Sequence, residues 1–274
     1  MIQEASPALL DKLREALAGT GPVSLHLPTL NQPSVSVIIP ALNEAENLPH
    51  VLPRIPDWID EVILVDGRST DETVEVARCL RPDIRIVQQV GKGKGAALRT
   101  GFQHATGEII VMLDADGSTD PGEIPVFVGA LLAGADYVKG SRFLQGAGTA
   151  DMPLYRKFGN WCFVVCVRLL FGGAYTDLCY GYNAFWRRSI QQLDLDCDGF
   201  EVETLMNVRA LRAGFKVAEV PSYESRRCYG SGRLQTFPDG WRVLKTIFSE
   251  RMHHSRNVAA YRSAMPDLGK RSAT

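Results

Sequence analysis

Short runs of β-branched and aliphatic residues alternate along this chain with longer amphipathic stretches, beginning at Val35. VSVIIP (35–40), EVILVD (61–66), IRIVQQ (84–89), EIIVMLD (108–114) and DYVKGS (136–141) predict strands. Between them the pattern predicts helices near 45–55, 71–80, 94–105 and 121–133. Apolar strands separated by helices of this length predict an α/β fold, a mostly parallel, Rossmann-like sheet flanked by helices. After about residue 145 the rhythm changes. WCFVVCVRLLF (161–171) is apolar apart from Arg168; too short to cross a bilayer, it fits either a buried or interfacial helix or one lying on a membrane surface. A strand over 180–186, a helix over 200–213, a strand over 216–221 and a last helix near 240–250 follow. Ahead of the sheet, residues 6–18 read as an amphipathic helix with Pro7 early and Gly19 past its end. The predicted segments are 1–34 (helix and linker), 35–145 (first half), 146–251 (second half) and 252–274 (a flexible polar tail).

Charge narrows the possible partners. With 30 Lys+Arg against 31 Asp+Glu the formal net charge is -1, which supplies no basic footprint for nucleic acid. The sequence opens without the basic start and apolar core of a signal peptide, and no apolar run reaches the ~20 residues of a membrane span. The six cysteines are scattered, with no CxxC pair, which predicts reduced thiols rather than a zinc site or disulfides. The expectation is a cytoplasmic protein, with peripheral contact at the inner face of a membrane left open by residues 161–171.

In an open α/β sheet, ligands bind beyond the carboxyl ends of the strands. The first strand runs into Pro40-Ala41-Leu42-Asn43-Glu44, the second into Asp66-Gly67-Arg68-Ser69-Thr70-Asp71, and the fourth into Asp114-Ala115-Asp116-Gly117-Ser118. Asn43, Ser69 and Asp71 also suit helix capping. Asp114 and Asp116 do not, and two acids one residue apart at a strand end emerge together as oxygen ligands suited to Mg²⁺ or Mn²⁺. The cluster Gly91-Lys92-Gly93-Lys94-Gly95 lacks P-loop spacing; Lys94 and the amides behind it either face an anion or form a glycine-permitted, solvated loop.

These motifs in order resemble the family-2 inverting glycosyltransferases: PxxNExxN from Pro40 to Asn47, VD-G-x-S-x-D-x-T from Val65 to Thr73, GKGxA from Gly93 to Ala97, DADxxxDP from Asp114 to Pro121, and GSR from Gly140 to Arg142. The branch they resemble most is the dolichyl- and polyprenyl-phosphate sugar synthases, with matching elements at Asp177–Tyr182, Gly199–Glu203 and Arg227-x-x-Gly230. The resemblance spans about residues 35–250 and implies a GT-A fold whose first half binds a nucleotide sugar and whose second half binds the acceptor. It implies that Pro40, Asn43, Glu44 and Asp66 line the base and ribose site, that Asp114, Ala115 and Asp116 hold the divalent metal and donor diphosphate, and that Arg142 and Arg227 meet phosphate. Two positions depart from the family pattern, Gly67 for a second Asp and Gly232 for a Ser.

The implied reaction moves a hexose from a UDP- or GDP-sugar to polyprenyl phosphate or to a hydroxyl on a small molecule. A phosphate acceptor is already a nucleophile at neutral pH, whereas a hydroxyl needs a carboxylate base within reach; Asp177, Glu201 and Glu203 are the candidates. Two other classes are weighed. A sugar-nucleotide pyrophosphorylase would need a glycine-rich loop after the first strand, and a non-catalytic nucleotide-sugar-binding scaffold would tolerate a degenerate site.

Overall fold

The computed structural model describes residues 32–252; the predicted helix at 6–18, the linker behind it, His253, His254 and the polar tail lie outside that range. Seven strands form the main sheet: β1 (Val35–Ala41), β2 (Glu61–Asp66), β3 (Arg85–Gln88), β4 (Ile109–Met112), β5 (Tyr137–Ser141), β7 (Asn183–Trp186) and β8 (Val217–Pro221), in the order β3-β2-β1-β4-β7-β5-β8. A second, two-stranded sheet pairs β6 (Gly148–Thr149) with β9 (Tyr223–Glu224). β1 and β4 have no exposed side chain, because helices cover both faces of the sheet, and that is why they read as apolar runs, broken only by Ser36, whose buried hydroxyl donates to Glu61 Oε2.

The helices are α1 (Leu48–Val51), α2 (Thr73–Leu80), α3 (Lys94–His104), α4 (Ile124–Leu132), α5 (Leu154–Phe171), α6 (Arg187–Ile190), α7 (Val202–Arg212) and α8 (Thr236–Met252). Two are longer than their apolar pattern predicts. α5 begins seven residues before Trp161, and α8 extends past both ends of 240–250.

The pairing that positions the site is β7. It runs antiparallel between β4 and β5, with Met112 opposite Asn183 and Lys139 opposite Asn183. Its first residue therefore lies where the parallel strands end. The stretch Asp177–Tyr182, entering β7, is delivered to the same edge as the loops after β1, β2 and β4. In the parallel part, Ala41 stands opposite Asp66, so the first two of those loops leave the sheet side by side. Strands from residues 35–145 and from residues 146–251 thus share one sheet.

Candidate active site at the carboxyl edge of the sheet

The loops after β1 and β2 brace each other. The amide of Asn43, at φ 55°, donates to Ser69 Oγ (2.9 Å), and its side-chain carbonyl accepts from the Thr70 amide (2.8 Å). Glu44 N donates to Thr73 Oγ1 (2.8 Å). Asp71 accepts the amides of Thr73 and Ala45; it stands one residue before Glu72, the N-cap of the helix that starts at Thr73, whose own side chain makes no capping bond. Asp66 is buried and accepts the Ser69 amide (3.1 Å). Pro40, half-buried in β1, lies opposite Val65.

Lys94, at the start of α3, reaches Asp114 Oδ1 and Glu203 Oε1, both at 2.7 Å. Burial opposes its charge, but the two carboxylates outweigh it and hold the ammonium protonated above its ordinary range. Burial, with Asp116 and Glu203 nearby, pushes the Asp114 carboxyl up against the pull of Lys94. Gly181, just before β7, leaves the room this cluster occupies. A Cβ there would stand 2.7 Å from Asp114 Oδ2, 2.7 Å from Lys94 Nζ and 2.9 Å from Glu203 Oε1.

The glycine loop itself differs from the anion-binding expectation. The Gly95 amide donates to the carbonyl of Asp198 (2.8 Å). A Cβ on Gly93 or Gly95 would lie 2.3 Å or 2.4 Å from the backbone carbonyl oxygens of Asp198 or Cys197. These glycines are needed for close approach of another backbone segment, and only Lys94 among them serves the acidic cluster.

Asp114 and Asp116 are open to the same extent, with side chains 26% and 25% exposed; Asp116 is the one that meets the late arginine loop. Its Oδ1 accepts the Ser118 amide (3.0 Å), and its Oδ2 lies 3.4 Å from Arg227 Nη1. Ala115 between them is buried. Arg227 also bonds Glu44 Oε2 (2.5 Å), and Asn47 joins Glu44 (2.6 Å) to the backbone of Tyr229. The late arginine loop is thus folded onto the loops after β1 and β4, with Arg233 donating to Leu42 O (2.9 Å).

Three expectations need correction. Arg142 does not face outward to meet phosphate: its side chain is 1% exposed and lies between Asp177 and Glu224, with its guanidinium 4.7 Å from the centre of the Tyr180 ring. Asp177, 0% exposed, directs both oxygens to Arg142 (2.7 and 2.9 Å), an arrangement that opposes proton acceptance. Burial alone would raise its pKa, but Arg142, by charge and hydrogen bond, and then Lys139 carry it below the ordinary range. Glu201 turns back on its own loop, where Oε1 accepts the Gly199 amide (3.2 Å) and Oε2 is buried without a hydrogen bond. Glu203, the alternative on the same turn, is the one that reaches Lys94. Glu224 was missed by the sequence reading, and no local signal marks it, since it meets Arg142 from 82 positions away.

A mostly parallel seven-stranded sheet flanked by helices, with acidic loops at its carboxyl edge, is the architecture of the GT-A glycosyltransferases. Residues 36–194 match the family described as Glycosyl transferase family 2, and the chain belongs to that family. It is 34% identical to glycosyltransferase AglJ of Haloferax volcanii, over 78% of this chain and 71% of that protein. It is 31% identical to an undecaprenyl-phosphate mannosyltransferase of Micrococcus luteus (73% and 87% covered), and 32% identical to a polyprenol monophosphomannose synthase of Mycolicibacterium smegmatis (81% and 87% covered). The last two names fall in the polyprenyl-phosphate branch that the motifs resemble. Among solved structures, glucosyl-3-phosphoglycerate synthase from Mycobacterium tuberculosis in complex with phosphoglyceric acid superposes with a TM-score of 0.66 at 24% identity, covering 92% of this chain and 88% of that one. The same enzyme with Mn²⁺, uridine diphosphate and phosphoglyceric acid gives a TM-score of 0.64 at 23% identity (82% and 81% covered). The fold and the enzyme class expected from the sequence are both met.

Proposed function

We propose that this enzyme transfers a hexose from a UDP- or GDP-sugar to polyprenyl phosphate, with Mg²⁺ or Mn²⁺ bound at Asp114 and Asp116. The observation that carries the choice of acceptor is the state of the three candidate bases. Asp177 is locked on Arg142, Glu201 is folded onto Gly199, and Glu203 is held by Lys94. None is placed to take a proton from a hydroxyl, and a phosphate acceptor asks for none. The names of the curated relatives support the same reading.

The residues present suit a divalent cation. No group of three or more His, Cys, Asp or Glu among the described residues forms a ready-made metal cage. One or two carboxylates with donor phosphates completing the shell is the usual arrangement for Mg²⁺, and Asp114 and Asp116, each about a quarter exposed, offer the accessible oxygens. Such an ion would neutralise charge growing on the nucleoside diphosphate leaving group. Lys94 holds Asp114 in place and favours its charged form against the effect of burial. Arg227, released from Asp116 and Glu44, would be free to meet a phosphate oxygen of the donor, where a preorganised cation stabilises developing charge. Asn43, Glu44, Asp66 and Pro40 border the place proposed for the base and ribose.

Calorimetric titration with UDP and GDP, each with and without Mn²⁺, tests the donor site; binding of one nucleotide that needs the metal is expected. Saturating binding of neither by the folded protein would overturn this donor assignment, and binding without turnover would favour the scaffold. Transfer assays with polyprenyl phosphate and with hydroxyl acceptors then test the acceptor, and turnover confined to a hydroxyl acceptor would overturn this half of the proposal.

A further inference from the structure

One charged side chain lies deep in the sheet and has no part in the site described above. Lys139, in β5, is 0% exposed and is among the largest fully buried side chains of the protein. β5 runs between β7 and β8, where packing alone would be served by a methionine. An amino group in such a place is costly unless it finds hydrogen-bond partners. Burial lowers the pKa of Lys139 below the ordinary lysine range, with the charges of Asp177, Glu203 and Glu219 opposing that fall.

What Lys139 meets is a peptide group. Its Nζ donates to the carbonyl oxygen of Tyr180 (2.9 Å), and Asn183 Oδ1 stands 3.5 Å away. Asn183, opposite Lys139 across the β5–β7 pair, adds its own Nδ2 to the same carbonyl (3.3 Å). The groups around this contact are buried as well. Tyr137, Asn183 and Asn207 are each 0% exposed. Tyr137 Oη lies 3.1 Å from Asn183 Oδ1 and 2.9 Å from Asn207 Oδ1, and Asn207 Nδ2 donates to Leu178 O (3.1 Å). Side chains of β5, β7 and α7 thus grip two carbonyls of the segment entering β7.

Tyr180 O belongs to the peptide that joins Tyr180 to Gly181. Gly181 is the residue whose lack of a Cβ leaves room for Asp114 Oδ2, Lys94 Nζ and Glu203 Oε1. Neighbouring bonds fix other parts of the segment. The Gly140 amide donates to Tyr182 O (2.9 Å), and the ring hydroxyls of Tyr180 and Tyr182 reach Ser222 Oγ and Asp120 O, each at 2.9 Å. The hold on the Tyr180–Gly181 carbonyl itself comes from Lys139 and Asn183. A shift of this peptide toward the cluster would press on three charged groups at once, and site groups moved by about 1 Å lose rate steeply.

We propose that Lys139 is a positioning residue for the acidic cluster: it holds the Tyr180–Gly181 peptide at the distance against which Asp114, Lys94 and Glu203 pack, and it acts on the reaction through that peptide without touching substrate. This rests on the reading of the cluster as the donor and metal site, and it adds the residue that sets the wall behind it.

Lys139→Met, Gly181→Ala and the two combined are compared with Ile84→Ala, a buried change just ahead of β3, at the far side of the sheet, that should lower Tm without reaching Gly181. The first readout needs no ligand. In the full chain labelled with ¹⁵N-lysine, the side-chain signal of Lys94 should shift in Lys139→Met and stay in place in Ile84→Ala. The second is turnover with UDP-glucose or GDP-mannose as donor, Mn²⁺, and polyprenyl phosphate as acceptor. Lys139→Met should lower kcat by at least about tenfold in the parent background, but by less than about threefold once Gly181→Ala is present, because changes acting through one peptide do not add.

An unmoved Lys94 signal in folded Lys139→Met would overturn the proposal. So would the same shift in Ile84→Ala, or losses in kcat that multiply in the double variant. Lys139→Gln, one bond shorter and unable to reach Tyr180 O, takes the place of Lys139→Met should that variant fail to fold. If the parent protein turns over neither donor, the proposed function is what falls, and the Lys94 signal alone decides the role of Lys139.

Discussion

Arg142 and Asp177 meet edge to edge, with Nε 2.7 Å from Oδ2 and Nη2 2.9 Å from Oδ1, inside a region that exposes almost none of either side chain. The pair joins the end of β5 to the segment entering β7, and Glu224 extends it to β9 (3.0 Å from Arg142 Nη1). Two-pronged charged hydrogen bonds of this kind fix geometry as well as energy. The pair therefore holds in register the strands that deliver Gly181 to the acidic cluster.

Breaking it should cost stability. Asp177→Ala leaves a buried guanidinium with only Glu224, and a loss of about 3–5 kcal/mol is expected, as for other buried pairs broken on one side. Urea denaturation measures it. The double replacement Arg142→Met with Asp177→Leu should cost clearly less than the two single changes added together.

The same pair sets an acid limit. The Asp177 carboxyl titrates below its ordinary value of 3.8, so the unfolded chain takes up that proton first. Its stabilisation is complete above pH 3.8 and is lost as pH falls through the lower folded value. Thermal melting of Asp177→Asn should show a lower Tm at neutral pH and a shallower decline below pH 3.8 than the parent protein.

Lys94 balances Asp114 and Glu203. Lys94→Met should leave two close, mostly buried carboxylates without a cation and should cut kcat/KM by on the order of 10²–10³-fold, the range seen when one preorganised charge contact is lost. Adding Glu203→Gln removes one of the uncompensated charges and should recover part of the stability, measured by Tm, without recovering the rate.

Asp116→Ala should abolish metal-dependent turnover while circular dichroism and Tm stay close to those of the parent, because this side chain is partly exposed and belongs to no buried apolar cluster. Full activity of the variant with unchanged response to Mn²⁺ would remove Asp116 from the site.

Gly181→Ala is a sharper probe of the same place. The added methyl meets the ends of three side chains rather than backbone, so these can move aside and the fold should persist. Displacing Asp114, Lys94 and Glu203 together should nonetheless lower kcat by at least about tenfold, because small misplacements of site groups cost rate steeply. Single-turnover assays separate this from a change in donor affinity.

How much of this was legible differs element by element. β1 and β4 were plain because a strand buried on both faces is apolar at nearly every position, and that is a local property. The acids Asp114 and Asp116 were legible for the same reason, standing where an apolar run stops. β7 was recognisable as a strand, but its antiparallel insertion between β4 and β5 was not, since its direction depends on where α5 returns the chain. Arg142 and Glu201 carry the right chemistry for a site, and their sequence positions say nothing about what lies beside them.

Local patterning determined the strands, the helices and the loops that carry acids and glycines, because hydrophobic periodicity and backbone permissiveness act over a few residues. Tertiary structure decided which charges are spent inside the protein and which face a substrate. Arg142 finds Asp177 across 35 positions, and Lys94 finds Glu203 across 109. A buried charge must be matched by whatever the fold brings within reach, and only the packed sheet settles that partner.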